Sequence, residues 1–410
     1  MTALALETAG ERPRNADLGA WAAVAAGGLG ALMATLDISI TNSALPQIQG
    51  EVGATGTEGT WIATGYLVSE IVMIPLTAWL TRVLGLRNLL LLCAGLFILF
   101  SIVCGTANDL TWMIIGRVGQ GFVGGAMIPT GQTIVATHLP RHQQTIGLSL
   151  FALVVLAGPI IGPLTGGWLA ENISWRWCFF VNLPVGLGLI ALLLVALPRE
   201  RADLKSLLRA DWLGVIGLAV GLSSLTIVLE EGQRERWFES PMIIGLSIAS
   251  AVGIATLILA QFTSKDPVVK LRLMLNRSYA SVVVLVTAFG AVFYGVLYLL
   301  PQFLAGIAGY NAQQSGLVLI VSGIPAFLAI AIVPPLMSRV DMRLLVGAGL
   351  AAIAGACFLE HNLTSLSAGG DFTAAQLMMG FGQVLVMFPL NQASVGAVAP
   401  KAVTRTTTLA

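Results

Sequence analysis

Apolar runs long enough to cross a lipid bilayer recur along this 410-residue chain and leave it few choices of fold. Within the hydrocarbon layer every backbone N–H and C=O must find its partner inside the protein, so only helices and closed barrels span it. A helix needs about 20 apolar residues to cross and a tilted barrel strand about ten. The runs here have the helical length, at about 21–43, 61–80, 88–107, 111–136, 144–170, 176–197, 212–230, 241–262, 279–304, 314–337, 342–360 and 373–398. They predict twelve spans and an all-α integral membrane protein. Charge agrees: Lys, Arg, Asp and Glu make up 10% of the chain, against about 25% in a soluble domain. The near-balance of 21 basic and 20 acidic residues offers no footprint for nucleic acid. The polar first 20 residues hold Arg12 and Arg14 but no short apolar core with a cleavage site. No cleaved signal peptide is expected, and the first span directs insertion.

Loop charge sets the predicted orientation. With a cytoplasmic N-terminus, seventeen of the 21 basic residues fall in cytoplasmic segments and only Arg176, Arg234 and Arg236 in outer loops, with Arg117 inside a span. That bias is the positive-inside pattern.

Membrane proteins built from many such spans often carry internal repeats. The loop after span 2 reads Thr81-Arg82-Val83 and then Arg87; the loop after span 10 reads Ser338-Arg339-Val340 and then Arg343. Span 4 carries Gly119-Gln120 and later Pro129, and span 12 carries Gly382-Gln383 and later Pro389. Both echoes have an offset of eight spans rather than six, so spans 7 and 8 read as an insertion between two halves.

Ionisable groups inside a bilayer cost roughly 2.5–3.5 kcal/mol each on insertion scales and therefore point to function. Three stand well inside predicted spans, away from their ends: Asp37, Glu70 and Arg117. Asp37 lies six residues before the outer end of span 1 and Arg117 six residues after the outer start of span 4, which places both ~9 Å deep at 1.5 Å per residue. The matched depth suggests a charge pair or a shared polar network. Desolvation favours a neutral carboxyl and a nearby guanidinium favours its charged form. A site held between the two can load and release a proton, or it can be a static clamp. Glu70, near mid-depth, has no evident partner and reads equally as a coupling group or as a cavity residue shaping cargo preference. In span 5, Gly158, Gly162 and Gly166 recur every four residues beside Pro159, Pro163 and Gly167. Such a flat face admits a second helix closely, and the prolines bend the helix. No cofactor or metal site is expected: His138 and His142 flank a helix-breaking Pro140, and no Gly-Lys dipeptide exists to build a phosphate loop. The four cysteines read as small buried hydrophobes.

The segment Leu36-Asp37-Ile38-Ser39-Ile40-Thr41-Asn42-Ser43-Ala44-Leu45-Pro46 resembles the first-span signature of fourteen-span drug:proton antiporters of the EmrB/QacA type. Arg117-Val118-Gly119-Gln120-Gly121 is similar to their fourth-span motif, and the Gly-Pro run of span 5 to the motif that marks exporters; Trp175-Arg176-Trp177 and Asn182-Leu183-Pro184 also fit. The resemblance covers about residues 20–399. It implies a major facilitator fold: a cytoplasmic tail (1–20), a six-helix N-terminal bundle (21–197), a cytoplasmic linker with two inserted spans (198–265), a partial C-terminal bundle of four spans (266–399) and a polar tail outside the family (400–410). It also implies a non-enzymatic inner-membrane exporter of amphipathic small molecules against proton entry. Asp37 and Arg117 are its coupling candidates, and the glycine face of span 5 is expected to line the interface between the bundles. In a Gram-negative cell a periplasmic adaptor would be its partner. The loop after span 2 departs from the superfamily pattern, with Ala78 and Thr81 where a Gly and an Asp are usual, although Arg82, Gly85 and Arg87 remain. The family continues into two more spans, which predicts a shortened antiporter. A carrier of a metabolite, fatty acid or siderophore and a non-transporting remnant are the alternative readings.

Overall fold

The computed structural model describes residues 15–55, 58–203, 211–264, 267–307, 309–310, 312–337, 339–361, 363–364, 367 and 369–398. The predicted polar tail at 400–410 and the basic residues Arg12, Arg14, Lys205, Arg209, Lys265, Lys401 and Arg405 lie outside the described residues. The helices are α1 (Leu18–Glu51), α2 (Trp61–Leu84), α3 (Leu86–Gly105), α4 (Leu110–Gly124), α5 (Met127–His138), α6 (Arg141–Asn172), α7 (Trp177–Phe180) and α8 (Asn182–Ala196). They continue as α9 (Trp212–Glu231), α10 (Pro241–Thr263), α11 (Arg277–Gly306), α12 (Ala312–Met337), α13 (Met342–Glu360) and α14 (Gly369–Val398). Among the described residues, ten stretches are long and apolar enough to cross a membrane. Of the other two predicted spans, the fourth is two helices, α4 and α5, separated at Gly125–Ala126, and the tenth is α12.

Short polar side chains start several helices. Asp17, Asp109, Asp211, Asn276 and Asp341 precede α1, α4, α9, α11 and α13, and each accepts a hydrogen bond from a backbone amide of the first turn. These bonds satisfy donors that a helix leaves unpaired. In the turn before α2, Thr55 donates to Glu58 through both its hydroxyl (2.7 Å) and its amide (3.0 Å). These bonds hold the Glu58 carboxyl below the usual carboxylate range.

The glycine stripe of α6 lies against α1. A Cβ on Gly158, Gly162 or Gly166 would overlap Thr35, Ser39 or Ser43 respectively. Two rows of small residues, each stepping by four, thus face one another, and the helices approach as closely as their backbones allow. This corrects the expectation that the stripe lines the interface between the halves. That contact uses the adjoining side of α6, where Pro163 and Leu164 lie 3.7 Å from a Cβ on Gly316 and Ile160 lies 3.1 Å from one on Gly323, both on α12. Spacing by four marks the side of closest approach, and the closest approach is to α1.

The packing of the first four spans recurs later in the chain. The α4–α5 pair packs on α1, α2 and α3, and α14 packs on α11, α12 and α13. Between these groups, α9 and α10 form an antiparallel pair closed at Gly217, Gly221 and Gly253, with Ser250 donating to the Gly221 carbonyl at 3.1 Å. The pair leans on α2 at both ends. At one end Trp79 and Trp212 meet edge to face at 6.2 Å. At the other, Thr60 donates to Glu231 at 3.2 Å, and Arg234 pairs with Glu231 at 2.5 Å.

Gly162→Leu places a branched side chain where Ser39 already lies. Overpacking of this kind costs about 1–3 kcal/mol or more. The variant is expected to insert but to unfold at a lower temperature than the parent in detergent, which thermal unfolding followed by size exclusion checks.

Candidate functional site

Asp37 and Arg117 meet. Arg117 Nη1 lies 2.5 Å from Asp37 Oδ2, and the two side chains are 0% and 1% exposed. A charge in such a place is tolerated only when its partners saturate it. Asp37 Oδ1 also accepts from Asn182 Nδ2 at 2.6 Å and from Gln120 Nε2 at 3.0 Å. Arg117 donates from Nε to the Ile62 carbonyl at 3.1 Å and from Nη1 to Gln120 Oε1 at 3.1 Å. Its guanidinium stacks over the Tyr66 ring, 4.4 Å from the centroid, a cation–π contact strengthened by the lack of water. Gln120 Nε2 reaches Ser101 Oγ at 2.9 Å, and the Cys104 thiol donates to Gln120 Oε1 at 3.3 Å. Five spans therefore contribute: α1 gives Asp37, α2 Tyr66 and the Ile62 carbonyl, α3 Ser101 and Cys104, α4 Arg117 and Gln120, and α8 Asn182.

Sequence reading found the two charges through their matched depth. It passed over Tyr66 and Ser101. It quoted Gln120 and Asn182 within motifs without giving them a role. One signal was available: Arg117 and Gln120 are three apart and share a face of α4. Cys104, read as a small hydrophobe, also acts as a hydrogen-bond donor. Glu70 is outside the cluster. It is half-buried on α2, its backbone packs against Gly125 at the α4–α5 break, and it has no ion-pair partner among the described residues. Pro159 lines a crevice between the halves, whereas Gly158, Gly162 and Gly166 support α1 from the side away from Asp37.

The loop residues Arg82, Gly85 and Arg87 gather at the α2–α3 turn. Gly85 joins the helices with φ +83°, a backbone conformation open to glycine at little cost. Arg87 is buried and donates to the Leu194 carbonyl at 3.2 Å. Arg82 is exposed. An acid from elsewhere in the chain reaches this turn: Glu200, just after α8, accepts from the Leu86 amide at 2.5 Å. Its carboxylate thus sits at the positive end of α3. The same strand of chain continues along the turn, with the Asp203 amide donating to the Val83 carbonyl at 2.7 Å.

This arrangement holds a buried charge pair at a point where five membrane helices meet. Residues 27–410 match the family model of the Major Facilitator Superfamily. The chain belongs to that superfamily. Within it, the protein is 32% identical over 376 residues to the multidrug export protein EmrB of Escherichia coli K12, covering 91% of this chain and 73% of that one. It is 33% identical over 371 residues to the fatty acid resistance protein FarB of Neisseria gonorrhoeae, covering 89% and 72%. These relatives place this superfamily member in the EmrB-like efflux group, a multi-pass membrane transporter rather than an enzyme. Among solved structures, the human organic anion transporter MFSD10 superimposes with a TM-score of 0.63 at 17% identity, over 92% of this chain and 86% of that one. At that identity the likeness is one of fold.

Removing one partner of a buried pair strands the other. Arg117→Ala is expected to cost about 3–5 kcal/mol, and Asp37→Leu combined with Arg117→Met to cost less because no charge is left behind. Thermal unfolding of both variants in detergent checks the order, with the single variant melting lower.

Proposed function

We propose that this transporter exports amphipathic small molecules across the cytoplasmic membrane in exchange for protons, with Asp37 as the proton-carrying group. The buried Asp37–Arg117 pair at the junction of five helices carries this reading. A neutral Asp37 no longer attracts the guanidinium, so protonation weakens the anchor of α1, α2, α3, α4 and α8 together. The far face of α1 is zipped to α6, and the adjoining face of α6 meets α12. A change at the carboxyl therefore has a packed route to the contact between the halves. Two discrete arrangements of that contact would give alternating access. The basic-residue bias supports a cytoplasmic N-terminus, which puts the pair near the outer face.

The relatives support the cargo class: EmrB of Escherichia coli K12 is a multidrug export protein. The likeness to the fatty acid resistance protein FarB favours a second reading, export of fatty acids or a similar physiological amphiphile. In a Gram-negative cell a periplasmic adaptor would carry the cargo onward. Glu70, half-buried and without an ion-pair partner among the described residues, is the group we assign to cargo preference.

Asp37→Asn keeps the shape of the side chain and removes its titration. In proteoliposomes with an imposed pH gradient, the variant is expected to lose gradient-driven export while retaining ligand binding. Export at the parental rate would rule out Asp37 as the coupling group.

A further inference from the structure

The two halves repeat their packing without repeating their chemistry. Gly119 of α4 packs on Phe100 of α3, and Gly382 of α14 packs on Gly349 of α13, so Gln120 and Gln383 follow equivalent contacts. Three residues before Gln120 stands Arg117; three before Gln383 stands Gly380. A Cβ on Gly380 would overlap the Ser322 carbonyl oxygen of α12. No side chain fits there unless α12 moves, so the second half cannot rebuild the charge pair of the first.

The consequence falls on the glutamine. Gln120 is fully engaged with Asp37, Arg117, Ser101 and Cys104. Gln383 is 3% exposed, and its Oε1 is buried without a hydrogen-bond partner among the described residues. A buried amide in that condition destabilises the protein unless something else completes it. Gln383 lines a crevice with Pro159 and Ile160 of α6, Phe293 of α11, and Ser322 and Met379 around it. The other polar groups there are already used: Ser322 donates to the Leu319 carbonyl at 2.7 Å, and Gln376, one wall further along, donates to Glu360 at 2.9 Å. The crevice holds about 30 Å³, room for one polar head or a water and no whole drug molecule. Among the described residues, no carboxylate or cation lines it.

We propose that Gln383 is a specificity-determining residue that receives an N–H or O–H donor of the exported molecule, while Pro159, Ile160 and Phe293 hold the adjoining apolar part. The crevice selects for a hydrogen-bond donor and not for charge. This rests on the export reading above.

Two lipophilic aromatic cations separate donor from charge: ethidium carries aromatic amine N–H groups, and tetraphenylphosphonium carries none. Their affinities are measured by fluorescence and by radioligand binding to purified full-length protein in nanodiscs. Gln383→Met, close in size, is expected to weaken ethidium about five- to tenfold, the worth of one hydrogen bond, and to leave tetraphenylphosphonium unchanged. Gln383→Glu retains an acceptor and is expected to retain ethidium. The inference is overturned if both probes weaken equally or if neither changes while the parent binds both. Should Gln383→Met not fold, Gln383→Asn withdraws the amide by one methylene and is judged by the same criterion. A parent that binds neither probe overturns this inference, whereas the export reading stands or falls by the proteoliposome assay.

Discussion

A carboxylate and a guanidinium, both shielded from water, dictate how the first half of this protein is put together. Their attraction alone does not offset the loss of hydration; good geometry and further hydrogen bonds must complete each ion. Asp37 takes donors from Arg117, Gln120 and Asn182, and Arg117 is bounded by the Ile62 carbonyl and the Tyr66 ring. These groups come from four helices, so the pair fixes the rotation of each about its own axis. With α1 turned to present Asp37 to the cluster, its row of Thr35, Ser39 and Ser43 is turned toward α6. The position of α6 then determines which of its faces is left for α12.

Hydropathy made the spans legible, because crossing a bilayer is a requirement on length and apolarity that any helix must meet alone. It could not reveal the interruption at Gly125–Ala126, since a break inside a continuous apolar run changes neither property. Depth was legible for the same reason, which is why Asp37 and Arg117 could be matched. Azimuth was not. The glycines at 158, 162 and 166 announce a close neighbour but do not say which helix it is, and the neighbour is α1 rather than the opposite half. The uncharged members of the cluster stayed hidden because Ser, Tyr, Gln and Cys are common enough in membrane helices to carry little signal singly. Glu200 was hidden for a different reason: it lies more than a hundred residues from the turn it caps, and only the folded chain brings them together.

Likeness of packing between the halves thus coexists with a division of labour. The first half concentrates its polar groups on each other and seals them. The second replaces an arginine with a glycine, brings α12 against α14, and leaves an amide facing the crevice that both halves line. A charge pair that must respond to protonation benefits from being sealed, because a low dielectric magnifies the difference between its two states. A group that meets many different molecules benefits from being neutral and unspent.

The α9–α10 pair places an even number of crossings between the two groups of helices that share a packing pattern. Two antiparallel helices are an even number of crossings, so the chain emerges on the side from which it left, and the second half begins with the same polarity that it would have had without them. An odd insertion would invert every later helix and turn the contact between α6 and α12 upside down. Because the pair is fastened to α2 through Trp79, Trp212, Thr60 and Glu231, it sits beside the first half instead of between the two. Parity keeps the polarity of the second half, and lateral attachment leaves the contact between α6 and α12 free.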